Sequence, residues 1–194
     1  MKLGVLALQG DFREHRLSLE KLGADVYEVR LPEHLDGLSG LIIPGGESTA
    51  IGKLMVAYGL LESIREFGQK KAIWGTCAGA ILLARNVGSQ QPLLNLMDIT
   101  IQRNAFGRQI DSFEIDLPVP FLNPSQPDYH LTFIRGPIIT EVNGEARPLL
   151  SLPDGRIIAA RQGKLLATSF HPELTNDLRF HRYFMELALS EFEN

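Results

Sequence analysis

The chain has 194 residues, 44% hydrophobic and 22% charged, a composition that supports one sizeable core. Its net charge of −4, with no stretch that concentrates Lys and Arg, argues against a nucleic-acid or acidic-membrane surface. A single cysteine excludes an internal disulfide and a cysteine zinc cluster. No run is long enough to span a membrane, and the apolar start is too brief for a signal sequence, so a reducing cytoplasm is the expected compartment.

Residues 3–8 form a continuous apolar run that stops at Gln9-Gly10-Asp11, as expected of a strand covered on both faces. Residues 12–22 place Phe12, His15/Arg16, Leu19 and Leu22 at helical spacing, and Gly23 closes the helix. Residues 25–29 and 38–43 read as strands, the second ending in Pro44-Gly45-Gly46-Glu47-Ser48-Thr49. Helices over 49–58 and 60–67 lead to a short apolar strand, a cramped turn at Gly75-Thr76-Cys77-Ala78-Gly79, and another apolar helix. Strands and helices alternating in this way predict an α/β fold: a three-layer, mostly parallel, doubly wound (flavodoxin-like) sheet. Ligands in such sheets gather at the carboxyl ends of the strands. Gln9-Gly10, the Gly45-Gly46 loop and Cys77 all fall at such ends.

Beyond Met97 the pattern changes. Residues 98–102, 110–117, 131–135, 138–142, 157–161 and 165–170 read as strands. Hairpin-like turns stand at Val142-Asn143-Gly144-Glu145 and Pro153-Asp154-Gly155-Arg156. The Pro-rich residues 119–128 read as an exposed loop, and an amphipathic helix runs from Asn176 or Asp177 to Glu193. No repeat, low-complexity tract or linker interrupts the chain, so residues 1–194 are expected to form a single domain.

The chemistry centres on Cys77. Glycines two residues to either side, between a strand and a helix, are the layout of a nucleophile elbow with Cys in place of Ser. The first N–H groups of the following helix face the sulfur and favour its anionic, reactive form. A nucleophile also requires a base and an oxyanion site. His171-Pro172-Glu173 follows an apolar strand, so His171 is the candidate base and Glu173 the group that orients it. The Pro44-Gly45-Gly46-Glu47-Ser48 turn offers N–H groups for an oxyanion, with the Ala78 N–H as second donor. No Lys stands at P-loop spacing, which disfavours an NTPase.

These three motifs resemble the class I, triad-type glutamine amidotransferases. Further stretches narrow the resemblance to the PdxT family, the glutaminase subunits of pyridoxal 5′-phosphate synthase: Leu8-Gln9-Gly10, the run from Arg103 to Glu114, Phe133-Ile134-Arg135-Gly136-Pro137, and residues 169–175. The likeness covers essentially the whole chain. Many amidotransferases carry an aliphatic residue before the cysteine where this chain has Thr76, and that departure itself suits this subfamily.

The resemblance implies hydrolysis of L-glutamine to L-glutamate and ammonia through a thioester, with neither a metal nor a cofactor. The ammonia would pass to a PdxS-type synthase subunit within a large hetero-oligomer. Cys77, His171 and Glu173 would form the triad, and the Gly46 and Ala78 N–H groups the oxyanion site. Gly46, Glu47, Ser48, Arg103, Ile134 and Arg135 would hold glutamine. An arginine is suited in its own right to the substrate's carboxylate. Arg108 and Gln109 are weaker candidates.

Alternatives on the same fold are the glutaminase subunit of another amidotransferase, such as imidazole glycerol phosphate synthase, or a non-catalytic regulatory module. His15, His34, His130 and His181 read as surface or packing residues. The helix edge carrying Arg13, Glu14 and His15 is a candidate docking surface. Gln9 is expected to organise the oxyanion region when the synthase binds.

Overall fold

Strands that are apolar along their whole length need cover on both faces. The structure, a computed structural model describing residues 1–103 and 112–190, provides it with helices on either side. In chain order the first half comprises β1 (Lys2–Leu6), α1 (Phe12–Lys21), β2 (Asp25–Val29), β3 (Gly40–Ile43), α2 (Ser48–Ala57), α3 (Leu60–Gly68), β4 (Ala72–Thr76) and α4 (Ala78–Leu83). The second half comprises β5 (Ala84–Asn86), β6 (Met97–Gln102), β7 (Ser112–Leu117), β8 (Tyr129–Ile134), β9 (Ile138–Val142), β10 (Arg147–Ser151), β11 (Ile157–Gln162), β12 (Leu165–Thr168) and α5 (Arg179–Leu189).

The main sheet runs β2-β1-β3-β4-β12-β11-β9-β6-β5, with β10 beside β11, and β7 and β8 pair separately. The strands from β2 to β12 are mutually parallel in the flavodoxin-like order. The sheet then continues antiparallel through β11, β9 and β6. Side chains alternate between the two faces, as the strand period requires. Leu3 and Val5 of β1 and Trp74 of β4 pack with Leu19 of α1 and Phe180 and Phe184 of α5. Leu6 and Ile73 pack on the opposite face with Ile51 of α2, Ile64 of α3 and Leu82 of α4. The expected three-layer α/β architecture is thus realised. No helix among the described residues is long and apolar enough to cross a membrane.

Several details differ from the sequence reading. The Asn143-Gly144 turn is not a hairpin turn, because β9 pairs with β6 and β11 whereas β10 pairs with β11. The Asn143 N–H instead donates to the Asp98 carbonyl, at 2.9 Å. The turn at 153–156 does close a hairpin, with the Leu152 N–H donating to the Arg156 carbonyl at 2.9 Å. Neither β5 nor β10 was expected: β5 has three residues, and β10 is an edge strand that opens with Arg147-Pro148. The Pro-rich loop is not wholly exposed, since Val119 and Leu122 anchor it in the core. The strand expected from 110 begins at Ser112 among the described residues, and α5 ends at Leu189. Residues 104–111, including Arg108 and Gln109, and 191–194 lie outside the described residues.

One close approach positions everything at the site. A Cβ added to Gly79 would lie 2.0 Å from the Ile43 carbonyl oxygen, so α4 rests directly on the end of β3. No rotamer change relieves a clash with backbone. Gly79→Ala is therefore expected to destabilise the fold by about 1–3 kcal/mol, the usual cost of overpacking. A lowered urea midpoint at unchanged slope is the measurement that checks this.

Candidate active site

Cys77 sits between β4 and α4 with φ 48° and ψ −104°, a conformation that a non-glycine residue holds only under constraint. The constraint comes from both sides. The Cys77 N–H donates to the Thr168 carbonyl at the end of β12, at 2.8 Å. The Cys77 carbonyl accepts from the Ile81 N–H, which starts the short helix α4. The thiol is free and 7% exposed, and Sγ lies 3.9 Å from the Ile134 carbonyl oxygen.

His171 lies three residues beyond β12, the strand beside β4, so nucleophile and base emerge from adjacent parallel strands. Its N–H donates to the Thr132 carbonyl of β8 at 2.9 Å, which fixes the backbone of the base. Pro172 opens a 3-10 turn, Pro172–Leu174, that folds Glu173 back under the imidazole. His171 Nδ1 then donates to Glu173 Oε1 at 2.7 Å, with both side chains buried. With Nδ1 so engaged, the interaction with Cys77 falls to Nε2, which is buried and has no other partner among the described residues.

The electrostatics suit this arrangement. Burial opposes charge on His171, but Cys77 and Glu173 outweigh it and push the imidazole up to about 10. Burial pushes the Glu173 carboxyl up from its ordinary value, against a downward pull from His171. Asp11, which the sequence reading did not single out, brings a second carboxylate to 3.7 Å from His171 Nδ1. Burial raises Asp11 too, opposed by His171 and assisted by Glu14.

The glycine loop after β3 faces this pair. Gly46 has φ 152°, and a Cβ there would come within 2.6 Å of Gln9 Oε1. Gln9 Oε1 accepts from the Glu47 N–H at 2.8 Å, so the strand-one loop is tied to the glycine loop. All the expected site residues except Glu173 line one cavity of about 590 Å³: Cys77, His171, Gly46, Ala78, Glu47, Ser48, Arg103, Ile134 and Arg135. Gln9, Asp11 and Ile81 complete it. Two slightly larger clefts, about 680 and 650 Å³, contain neither Cys77 nor His171, although the second shares Arg103 with this cavity. Size therefore does not select the site, whereas chemistry does.

Some side chains have duties the sequence did not reveal. The Glu47 carboxylate caps α2, accepting from the Thr49 N–H at 3.1 Å and the Ala50 N–H at 2.7 Å, and it pairs with Arg103 Nη2 at 3.4 Å. Burial works to raise Glu47, but those N–H groups and Arg103 hold its carboxyl below the ordinary value. Arg103 Nη1 also donates to Gln91 Oε1 at 3.1 Å, and Ser48 Oγ donates to the same oxygen at 3.3 Å. Glu47 and Ser48 thus hold the cavity wall as well as facing its interior. Arg135 follows β8 in a left-handed conformation, φ 47°, at the cavity mouth. His15 is wholly buried and takes no part in a docking surface, and His181 is wholly buried as well. His130 is exposed and pairs with Asp116 and Glu114. The helical spacing of Phe12, His15, Leu19 and Leu22 was the available signal for the burial of His15.

A cysteine elbow, a histidine–carboxylate pair and a glycine loop on one edge of a doubly wound sheet define the class of glutamine amidotransferases. The chain belongs to the SNO glutamine amidotransferase family, whose model matches residues 5–190. Its relatives specify it further. It is 53% identical over 191 residues to the pyridoxal 5′-phosphate synthase subunit PdxT of Roseiflexus castenholzii, covering 96% of this chain and 100% of that protein. It is 56% identical over 192 residues to the PdxT of Herpetosiphon aurantiacus, again covering 96% and 100%. Among solved structures, a glutamine amidotransferase superposes with a TM-score of 0.90 at 49% identity, over 96% of this chain and 98% of that one. PurLQS from Thermotoga maritima superposes with a TM-score of 0.69 at 17% identity, over 95% and 97%, and shares the fold.

Replacing Cys77 by Ala removes one of the two groups that raise His171. In Cys77→Ala, the imidazole titration midpoint is expected to fall below the value of about 10 in the parent protein. Histidine NMR titration of both proteins measures it, and an unmoved midpoint would contradict the pairing.

Proposed function

We infer that this chain is the glutaminase subunit of a pyridoxal 5′-phosphate synthase, hydrolysing L-glutamine to L-glutamate and ammonia. The observation that carries the reading is the constrained Cys77, sharing a cavity with a His171 that is held by Glu173, in a glutamine amidotransferase family member. Cys77 Sγ attacks the side-chain amide carbon, and the amide oxygen takes up negative charge against the Gly46 and Ala78 N–H groups. His171 Nε2 gives its proton to the leaving nitrogen, so ammonia departs and a thioester remains. His171 then takes a proton from water as the water attacks the thioester, and collapse of that adduct releases glutamate and expels the sulfur as thiolate, restoring the thiolate–imidazolium pair. Glu173 holds Nδ1 throughout, fixing the tautomer and balancing the imidazolium.

Arg103 and Arg135 supply positive charge for the α-carboxylate, while Glu47, Ser48 and Ile134 shape the site around the amino acid. The PdxT names of the relatives support a partner synthase subunit of the PdxS type as the recipient of the ammonia, within a hetero-oligomer. A free thiol nucleophile suits a reducing cytoplasm.

Glutamate release, measured with and without a PdxS-type subunit, tests the assignment. The wild type is expected to turn over glutamine, and Cys77→Ala to show none. Activity that survives Cys77→Ala would overturn it. Arg135→Ala is expected to raise KM for glutamine by about 10-fold or more, the effect of losing a charge-assisted contact. Gln9→Ala is expected to lower synthase-stimulated turnover, because Gln9 ties the glycine loop to the end of β1.

A further inference from the structure

Behind the triad lies a second buried histidine cluster that the steps above do not use. His15 on α1 is 0% exposed, and so is His181 on α5. His15 Nε2 lies 3.1 Å from Thr76 Oγ1 and 3.4 Å from Glu173 Oε2. His15 Nδ1 lies 3.0 Å from His181 Nε2. Both rings stand edge-on to Trp74, with centroids 5.6 and 5.1 Å away. One Glu173 oxygen thus serves His171, while the other points at His15.

The protons can be placed by elimination. Burial and the neighbouring His181 and His171 keep His15 neutral, and burial pushes His181 down to about 3. Each ring therefore carries one N–H. His181 Nδ1 is buried without a hydrogen-bond partner among the described residues. If His15 donated from Nδ1 to His181 Nε2, the His181 proton would sit on Nδ1 as an orphaned buried donor. His15 Nε2 would then turn a lone pair toward the Glu173 carboxylate. Both consequences are costly. In the opposite arrangement His181 Nε2–H donates to His15 Nδ1, and His15 Nε2–H donates to Thr76 Oγ1 with Glu173 Oε2 3.4 Å from the same nitrogen. The unpartnered His181 Nδ1 then carries an acceptor lone pair rather than an orphaned donor.

We propose that His15 is a positioning residue for the hydrolysis: its Nε2–H holds the outer oxygen of Glu173 so that the inner oxygen stays aligned on His171, with His181 fixing the His15 tautomer. The inference rests on the glutaminase reading above. It accounts for a hydroxyl immediately before the nucleophile: Thr76, fully buried, is the second acceptor for the same proton. It also bears on a carboxylate that burial raises: a donor near its free oxygen opposes that rise, alongside His171 and the Glu173 backbone N–H. The other groups facing Glu173 are His171 and Asp11 beside it and Tyr129 from β8, whose own titration Glu173 perturbs. At 3.4 Å the His15 contact is a close approach rather than a formed hydrogen bond, and Glu173 Oε2, buried, has no hydrogen-bond partner among the described residues.

The test compares His15→Leu, which fills the space without a donor, with His15→Gln, which restores an N–H near the Nε2 position. Glutamate release is measured in the complex with a PdxS-type subunit. His15→Leu is expected to lower kcat by about 10- to 100-fold with KM for glutamine little changed, the loss that follows removal of a hydrogen bond to an ionised group. Its acid limb in the kcat pH profile is expected to move to higher pH, because Glu173 then protonates more readily. His15→Gln is expected to recover most of the rate and to return the limb. A residue that only packs would lower the thermal midpoint without separating Leu from Gln in kcat. His15→Leu with the parental kcat and acid limb, or a folded His15→Gln no better than Leu, overturns the proposal. The 15N NMR spectrum of the wild-type imidazoles tests it without a variant: both rings are expected to carry the proton on Nε2, and a His15 protonated on Nδ1 overturns it. A wild type that releases no glutamate would sink the glutaminase reading, and the NMR result would still decide the tautomer.

Discussion

Everything at the site depends on one strained peptide. Cys77 occupies φ 48°, a region that costs a non-glycine residue about 1–3 kcal/mol. The strain is sustained because the surrounding elements allow no other path. Its N–H is bound to the last carbonyl of β12, and α4 is pressed onto the Ile43 carbonyl through Gly79. The ends of three neighbouring strands, β3, β4 and β12, therefore meet at a single residue. His171 follows β12 by three residues, so the bond that strains the nucleophile also sets its position relative to the base.

Three histidines lie in one buried region and take different charge states. Burial opposes charge on all of them. At His181 nothing offsets it, and at His15 the neighbouring histidines reinforce it. Only His171 is raised, by Cys77 and Glu173, whereas His15 is lowered although it lies 3.4 Å from Glu173 Oε2. A base that must accept and return a proton is thus placed beside two rings that stay neutral and serve as fixed dipoles. The difference follows the neighbours together with the slightly greater exposure of His171.

The parts of this arrangement written in local pattern were legible in the sequence. Apolar runs gave the parallel strands, and Gly-x-Cys-x-Gly and His-Pro-Glu gave the candidate residues Cys77, His171 and Glu173, because strand, turn and candidate residue are contiguous there. What escaped the sequence depends on distant elements. Asp11 looked like a loop residue, and only the fold brings it to His171. His15 and His181 are 166 positions apart, and nothing local pairs them. Glu47 read as a substrate contact, yet its carboxylate is engaged by the start of α2 and by Arg103. The pairing of β10 with β11 rather than β9 was hidden for a related reason: an Asn-Gly turn specifies a chain reversal but not which strand the next one joins.

The two halves of the cavity are built on different physical terms. The reacting half stands on strand ends, with backbone hydrogen bonds at Cys77 and His171. The half that would meet the amino-acid end of the substrate stands on loops. Among the described residues the Arg103 side chain is held by the side chains of Gln91, Thr49 and Glu47, and Arg135 follows the end of β8. Among the described residues, Asn95, Cys77 and Arg135 are the non-glycine positions with positive φ, and the last two both line this cavity. Strain therefore collects where chemistry and recognition are required and where surrounding structure sustains it. Side-chain anchors adjust more readily than strand hydrogen bonds. The placement of Cys77 and His171 is thus set by the sheet, whereas Arg103 is set by side-chain contacts.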